Sequence, residues 1–386
     1  MLPVDFYRIE TLLSEEERLV QESAARFVDR EVLPIVRDHF ENGEFPREIA
    51  GKLGENGFLG AGISTHGGTR ISPVAYGLLM QELERDDSGI RSFASVQSSL
   101  VIGLIDTFGT AEQKDRWLPG LVSGEKIGCF ALTEADHGSD PSGMQSRAVR
   151  NAGGYVLNGS KTWITNAGME DYAVIWAYLD DTVRGFVVEK GTAGYRARPI
   201  RHKLSMRASV TGEIFLNDCR IPEENLLPGA QGLASALSCL NGARYSIAWG
   251  VLGAAMACYR EALQYAKTRV MFGKPIGAFQ LVQDKLADML TRITCGQLLA
   301  LQLGRLMEKG AADHAQISMA KRNNVRVALD VARKARDILG ASGISGEYCS
   351  MRHLLNLESV FTYEGTDSIH TLILGKKITG MDAVKS

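Results

Sequence analysis

Gly154-Tyr155-Val156-Leu157, Ala173-Val174-Ile175-Trp176-Ala177, Gly185-Phe186-Val187-Val188 and Gly212-Glu213-Ile214-Phe215-Leu216 are short runs rich in β-branched and aromatic residues, and their reading decides the fold class. Turn signals flank them: Asn151-Ala152-Gly153-Gly154 before the first and Asn217-Asp218 after the last. No helix-length apolar repeat separates the runs. The segment from 125 to 230 is therefore expected to be an antiparallel β-barrel or sandwich, not a parallel βαβ unit.

Helical periodicity stands on both sides of this segment. Upstream, Ser14 and Glu17 form a capping-box signature, and Val20, Ala24, Phe27 and Val28 recur at helical spacing until Pro34 interrupts. Further helices are predicted over 46–56, 72–84 and 94–108, with Gly67-Gly68 marking a loop. Downstream, Val282, Leu286, Met289 and Ile293 keep one apolar face, and 316–339 reads as a long helix ending at Gly340. Gly250, Gly253, Ala254 and Ala255 let helices approach closely, which points to a four-helix bundle. The expected plan is an α+β chain: an N-terminal α-helical domain over 1–124, a middle β domain over 125–230 and a C-terminal helical bundle over 231–386.

Composition agrees with that plan. Gly makes up 41 of 386 residues, about 11% against ~7% on average, and Pro 10 of 386, about 3% against ~5%. No proline follows Pro275, so the C-terminal helices run uninterrupted. With 43 Lys+Arg against 45 Asp+Glu, no global field draws the chain to nucleic acid or anionic lipid. The six cysteines form no C-x-x-C pair and read as reduced thiols in a cytoplasmic protein. The N-terminus lacks an apolar signal core and is too acidic for a transit peptide, and the longest uncharged run, 225–243, is too polar to span a membrane.

Several chemistries lose support. There is no G-x-G-x-x-G after a predicted strand and no G-x-x-x-x-G-K-[ST], which argues against Rossmann and P-loop sites. His66-Gly67-Gly68 has no G-x-S-x-G elbow to serve and reads as a loop. Asn158-Gly159-Ser160 reads as a turn, and no histidines stand at metal-ligand spacing, so no metal is expected.

The strongest local signal is Phe130-Ala131-Leu132-Thr133-Glu134-Ala135-Asp136-His137-Gly138-Ser139-Asp140, followed after the next predicted strand by Lys161-Thr162-Trp163-Ile164-Thr165-Asn166. An aromatic ring flanked by hydroxyls on neighbouring strand ends suits a flat heteroaromatic cofactor. The same residues equally describe a polar hairpin with one packing Trp.

These two motifs, together with Tyr363-Glu364-Gly365-Thr366, resemble the acyl-CoA dehydrogenase family in identity and order across the chain. The resemblance implies FAD held by the middle domain and the C-terminal helices of a homotetramer, with the adenine half reaching a neighbouring subunit. It places Leu132 and Thr133 at the flavin pyrimidine edge beside Phe130, Trp163 over the ring, Thr165 toward N5, and Ser139 along both the cofactor and the CoA chain. Arg269-Val270-Met271-Phe272-Gly273 with Gln280, and Leu339-Gly340-Ala341-Ser342-Gly343, resemble the segments that reach the pyrophosphate and adenosine, and Thr366 and Ser368 complete the cofactor set. Met271 stands where the family often has Gln, and Ala135 where it often has Pro. Glu364 is the implied catalytic base: taking a proton α to a thioester needs a carboxylate, and apolar neighbours such as Phe361 and Tyr363 are expected to raise its pKa. In the family the β-hydrogen then leaves as hydride to the flavin, giving a trans-2-enoyl-CoA, and electron-transfer flavoprotein is the implied acceptor.

The stretch from Glu82 to Leu100 narrows the substrate. Arg91 heads a run of small and apolar residues where a buried guanidinium demands an anion. From the residues alone, an ion pair with Asp87 or Glu84 is the favoured reading. The segment also resembles that of glutaryl-CoA dehydrogenases, in which the matching Arg holds the free carboxylate of the substrate. Ser205-Met206-Arg207-Ala208-Ser209 and Cys239-Leu240-Asn241-Gly242-Ala243-Arg244-Tyr245 fit the same group, while Ile90 replaces the Tyr of some members. The resemblance implies glutaryl-CoA as substrate, its oxidation and then decarboxylation to crotonyl-CoA and CO₂, and a place in lysine and tryptophan degradation. Glu84, Arg91, Ser92, Arg244 and Tyr363 would sit around the substrate. The competing readings are a short- or branched-chain acyl-CoA dehydrogenase, a non-decarboxylating glutaryl-CoA enzyme, an acyl-CoA oxidase, and a flavin- or CoA-binding factor without catalysis.

Overall fold

The capping box at Ser14 forms as expected. The Ser14 N–H donates to Glu17 at 2.7 Å and the Ser14 hydroxyl accepts from the Glu17 N–H at 3.2 Å, which starts α1 (Glu15–Phe27). The computed structural model describes residues 4–384. A π-helical turn, Val28–Val32, precedes α2 (Val36–Asn42) and α3 (Glu48–Glu55). Then come α4 (Pro73–Asp86), α5 (Ser88–Ser95), a second π-helical segment (Val96–Ile102), α6 (Gly103–Phe108) and α7 (Ala111–Val122). The predicted 94–108 helix is thus broken by a widened turn and begins earlier, at Ser88. Sequence periodicity did not show α7, whose Pro119 lies inside the helix behind the capping box of Thr110 and Gln113.

The middle domain is one eight-stranded sheet: β1 (Gly128–Ala131), β2 (Arg147–Asn151), β3 (Gly154–Thr165), β4 (Tyr172–Leu179), β5 (Thr182–Glu189), β6 (Tyr195–Pro199), β7 (Thr211–Pro222) and β8 (Leu226–Gln231). Its order is β6-β7-β3-β2-β4-β5-β8, with β1 beside β4. Most pairings are antiparallel as expected, but β4 takes both β1 and β2 as parallel neighbours. Asn158-Gly159 and Asn217-Asp218 are not turns; they face each other across β3 and β7 as an irregularity in the register. Asn158 Nδ2 donates to Asp218 at 3.2 Å while the Asp218 N–H donates to Asn158 Oδ1 at 2.8 Å, so side chains replace the missing ladder bonds. Asn151–Gly154 is the hairpin turn expected.

C-terminal to the sheet lie α8 (Leu233–Thr268), the hairpin of β9 (Val270–Met271) and β10 (Lys274–Pro275), α9 (Gln280–Glu308), α10 (His314–Ile338), α11 (Cys349–Thr362) and α12 (Asp367–Thr379). The bundle expected here carries a fifth helix, and its central member α8 also packs on α4. Small residues set that crossing: a Cβ on Gly77 would collide with the Trp249 ring, and one on Gly253 with the Gln81 carbonyl. Val74 and Leu78 of α4 share one apolar cluster with Val251, Leu252, Ile317 and Val331, whereas the sheet keeps its own cluster around Leu157, Ile175, Phe186 and Ile214. All six cysteines are free. Among the described residues there is no cluster able to hold a metal ion, and no helix is long and apolar enough to cross a membrane.

Candidate active site

Glu364 lies in the short loop between α11 and α12. Its φ is +53° and that of Gly365 is +94°, so the chain passes twice through the left-handed region, where a glutamate costs about 1–3 kcal/mol. That path takes the carbonyls of 363–365 out of any helical ladder, and buried cations receive them. Lys321 Nζ, on α10, donates to the Tyr363 and Gly365 carbonyls at 2.6 Å each. Arg244 Nε, on α8, donates to the Glu364 carbonyl at 2.8 Å. Thr366 then caps α12, its hydroxyl accepting from the Ile369 N–H at 3.1 Å.

Arg91, on α5, is fully buried. Its Nε donates to Glu84 Oε2 at 2.5 Å, and its Nη2 donates to the Tyr363 hydroxyl. Nη1 has no protein partner, nor has Glu84 Oε1 or the buried Glu364 Oε2. Of the two acids expected to pair with Arg91, Glu84 does so. Asp87 instead caps α5 by accepting from the Gly89 N–H at 2.7 Å and faces Arg352 at 3.3 Å. Ser92 is buried next to Arg91.

The electrostatics follow from this crowding. Burial pushes the Glu364 carboxyl up, opposed by the Arg91, Lys321 and Arg244 charges. The apolar surroundings expected for Glu364 are thus supplemented by three cations. Burial brings Lys321 down to about 7, with Glu364 pulling the other way. Tyr76 is raised to about 12, chiefly by burial, and feels both Arg91 and Glu364. Its hydroxyl, 3.0 Å from Ser99 Oγ, lies at a cleft of about 390 Å³ that Ser98, Gly103, Cys239 and Gly242 also line. Tyr76 thus links the wall of this cleft to the charged cluster. Neither this cleft nor a larger groove of about 540 Å³ against α1 is lined by any of the predicted site residues.

The residues expected to hold the flavin lie on the sheet. Phe130 lies in β1, and Leu132 and Thr133 follow the strand; the Thr162 N–H donates to the Thr133 carbonyl at 3.0 Å, tying that turn to β3. Trp163, at φ +57°, turns its ring outward and is 62% exposed, with Thr165 half-buried at the strand end. Beneath them Lys161 Nζ donates to the Leu132 carbonyl at 3.0 Å and to Glu134 at 2.8 Å. Burial works against the Glu134 carboxylate, but the Gln145 N–H, Lys161 and Ser146 hold it down at about 2. Ser139 is exposed in the turn. On the other side, Arg269, Phe272 and Gln280 are exposed around the β9–β10 hairpin, Leu339 is buried at the end of α10, and a Cβ on Gly340 would meet open space. Gly343 is buried and Ser368 exposed. An exposed ring beside hydroxyls on a clamped turn fits an isoalloxazine, and an exposed arginine fits a pyrophosphate.

Lys321, Tyr76 and the Glu134–Lys161 pair escaped the sequence reading. Lys321 stands next to Arg322 and looks like one of two solvated cations. The signal was its register, since Ile317, Asn324 and Ala328, at helical spacing from it, are buried on the same face.

Comparison with known proteins agrees with this geometry. Family profiles match in order along the chain: the acyl-CoA dehydrogenase N-terminal domain over 14–125, the middle domain over 129–219 and the C-terminal domain over 230–379. A crystal structure of glutaryl-CoA dehydrogenase from Mycobacterium smegmatis is 51% identical, covers 98% of each chain and superposes with a TM-score of 0.96. A glutaryl-CoA dehydrogenase from Mycobacterium smegmatis in complex with FADH2 is 45% identical over 100% of both chains, with a TM-score of 0.98. The short-chain specific acyl-CoA dehydrogenase of Clostridium acetobutylicum is 34% identical, matching 95% of this chain and 98% of its own. The chain belongs to the FAD-dependent acyl-CoA dehydrogenase family, and is an oxidoreductase acting on an acyl-CoA.

Proposed function

We propose that the chain is a glutaryl-CoA dehydrogenase that decarboxylates its product. The observation that carries this reading is the open Nη1 of Arg91, a donor on a fully buried guanidinium. Around it Arg91, Arg244 and Lys321 gather with Glu84 and Glu364, both with an unpartnered oxygen. An uncompensated charge in a dry site is costly, so the pocket favours a substrate that brings its own anion. A carboxylate at the far end of a short acyl chain does that.

Glu364 takes the α-proton of the bound thioester. Its raised pKa makes it a stronger base than a solvated carboxylate, and the left-handed turn fixes its direction. FAD, held by Phe130, Leu132, Thr133, Ser139, Trp163 and Thr165 and by Arg269, Phe272, Gln280, Leu339, Gly340, Gly343, Thr366 and Ser368, supplies the acceptor for the β-hydride. Arg91, positioned by Glu84, Tyr363 and Ser92, keeps the γ-carboxylate in place until it departs as CO₂. Its bonding electrons pass into a dienolate on the acyl chain, and Glu364 returns the proton to give crotonyl-CoA. Arg244 holds the base through its bond to the Glu364 carbonyl. Electron-transfer flavoprotein is the proposed acceptor, and a homotetramer the proposed assembly.

The Arg91–Glu84 pair also supports a second reading, a short-chain acyl-CoA dehydrogenase in which Arg91 is only structural. Steady-state assays with glutaryl-CoA and butyryl-CoA, an artificial acceptor and CO₂ detection separate the two. Glutaryl-CoA preferred, with CO₂ released in step with oxidation, is the expected result; preference for butyryl-CoA overturns the first reading. Arg91→Met combined with Glu84→Gln leaves no lone buried charge. It is expected to cut kcat/KM for glutaryl-CoA by roughly 10–150-fold, the worth of a charge-assisted hydrogen bond, and leave butyryl-CoA nearly unchanged.

A further inference from the structure

Lys321 is 1% exposed, yet no carboxylate accepts a hydrogen bond from its ammonium. Both of its bonds go to backbone carbonyls, those on either side of Glu364. A lysine kept only to neutralise a buried acid would place its nitrogen on that acid. This one spans from α10 to a loop 42 residues away and grips the peptide units that set the direction of one side chain. Arg244 holds the carbonyl between them, so each of the three consecutive acceptors is satisfied by a cation.

We propose that Lys321 is a positioning residue for the reaction, which clamps the strained turn and so aims the Glu364 carboxylate. The proposal rests on the reading of Glu364 as the base. Two donors suffice for two carbonyls, and a neutral amine has two, so the clamp survives loss of the lysine charge. The charge has a second effect, since Lys321 is one of the cations that oppose the rise in the Glu364 pKa. The other groups acting on the pair are Tyr76 and Glu84 on α4, Arg91 on α5, Arg244 on α8, Tyr363 in the loop itself, and Asp367 and His370 on α12.

Lys321→Met and Lys321→Gln, each purified with FAD, test this, with Glu364→Gln alongside. A misplacement of about 1 Å costs roughly a hundredfold, so Lys321→Met is expected to lose about that factor in kcat. KM should stay within about threefold, as binding contacts are untouched. The acid limb of kcat/KM should move to higher pH, because a charge favouring the carboxylate is gone. Lys321→Gln keeps N–H donors without charge and is expected to regain part of kcat but not the position of the limb. A Lys321→Met protein with normal flavin absorbance, kcat and acid limb overturns the proposal. So does loss of flavin or early melting in both variants with kcat per bound flavin unchanged, which marks Lys321 as merely structural. Activity retained by Glu364→Gln overturns the base assignment itself, a separate outcome.

Discussion

Glu364 is a half-buried residue in a backbone conformation that suits glycine, its carboxylate set among cations with one buried oxygen unpartnered. Strain and desolvation are both costs, and a residue that carries both is suited to chemistry rather than stability. Glu364→Gln keeps the shape and removes the proposed base, so kcat is expected to fall by roughly 10²–10⁴-fold with the flavin spectrum retained. The pH behaviour has a definite sign. Only the ionised form abstracts a proton, so kcat/KM should climb with pH through a pKa above the usual ~4.3, and steady-state profiles measure it. Stability runs the other way: a folded pKa raised above the unfolded one stabilises at low pH and loses that contribution as pH rises through the folded value. Glu364→Gln should therefore flatten this part of the dependence of Tm on pH. Glu364 and Arg91 were legible because their motifs carry a family resemblance. Lys321 was not, because its role depends on which carbonyls the fold brings to it.

The crossing of α4 and α8 shows how elements transmit such constraints. Glu84 sits on α4 and pairs with Arg91 on α5, and the pair is pressed against α8 at Gly250. A Cβ there would overlap Glu84 Oε2 and lie 3.1 Å from Arg91 Nε. Gly250→Ala is therefore expected to displace the carboxylate that orients Arg91, lowering kcat/KM for the carboxylated substrate about tenfold while butyryl-CoA is processed nearly as before. Overpacking of this kind also costs about 1–3 kcal/mol, which a melting curve reads independently. A uniform loss on both substrates would place the effect in folding alone. The sequence showed Gly250 and Gly253 as points of close helix approach, but attributed that approach to the C-terminal bundle. The partner is α4, nearly 170 residues earlier in the chain, and amphipathic periodicity does not report which helix meets which.

The α, β, α order was legible at the scale of the whole molecule because the hydrophobic period changes twice and few other signals compete. Within the sheet the strands missed were β1, β2, β6 and β8, the short ones, and the two-residue β9 and β10 of the hairpin were missed as well. What a single chain leaves unexplained is its apolar surface around the β9–β10 hairpin: Phe272 is 91% exposed at φ +49°, Val270 is 56% exposed and Leu281, at the start of α9, is 79% exposed. Exposed apolar groups gathered around one hairpin fit burial against another copy of the chain. Phe272→Asp isolates this, since a side chain that exposed contributes little within its own protomer. Wild type is expected to sediment at four times the 42.0 kDa chain mass, and the variant as smaller species that lose FAD on dilution. If the variant keeps the wild-type mass and its flavin, the hairpin is solvent-facing and the assembly uses other surfaces.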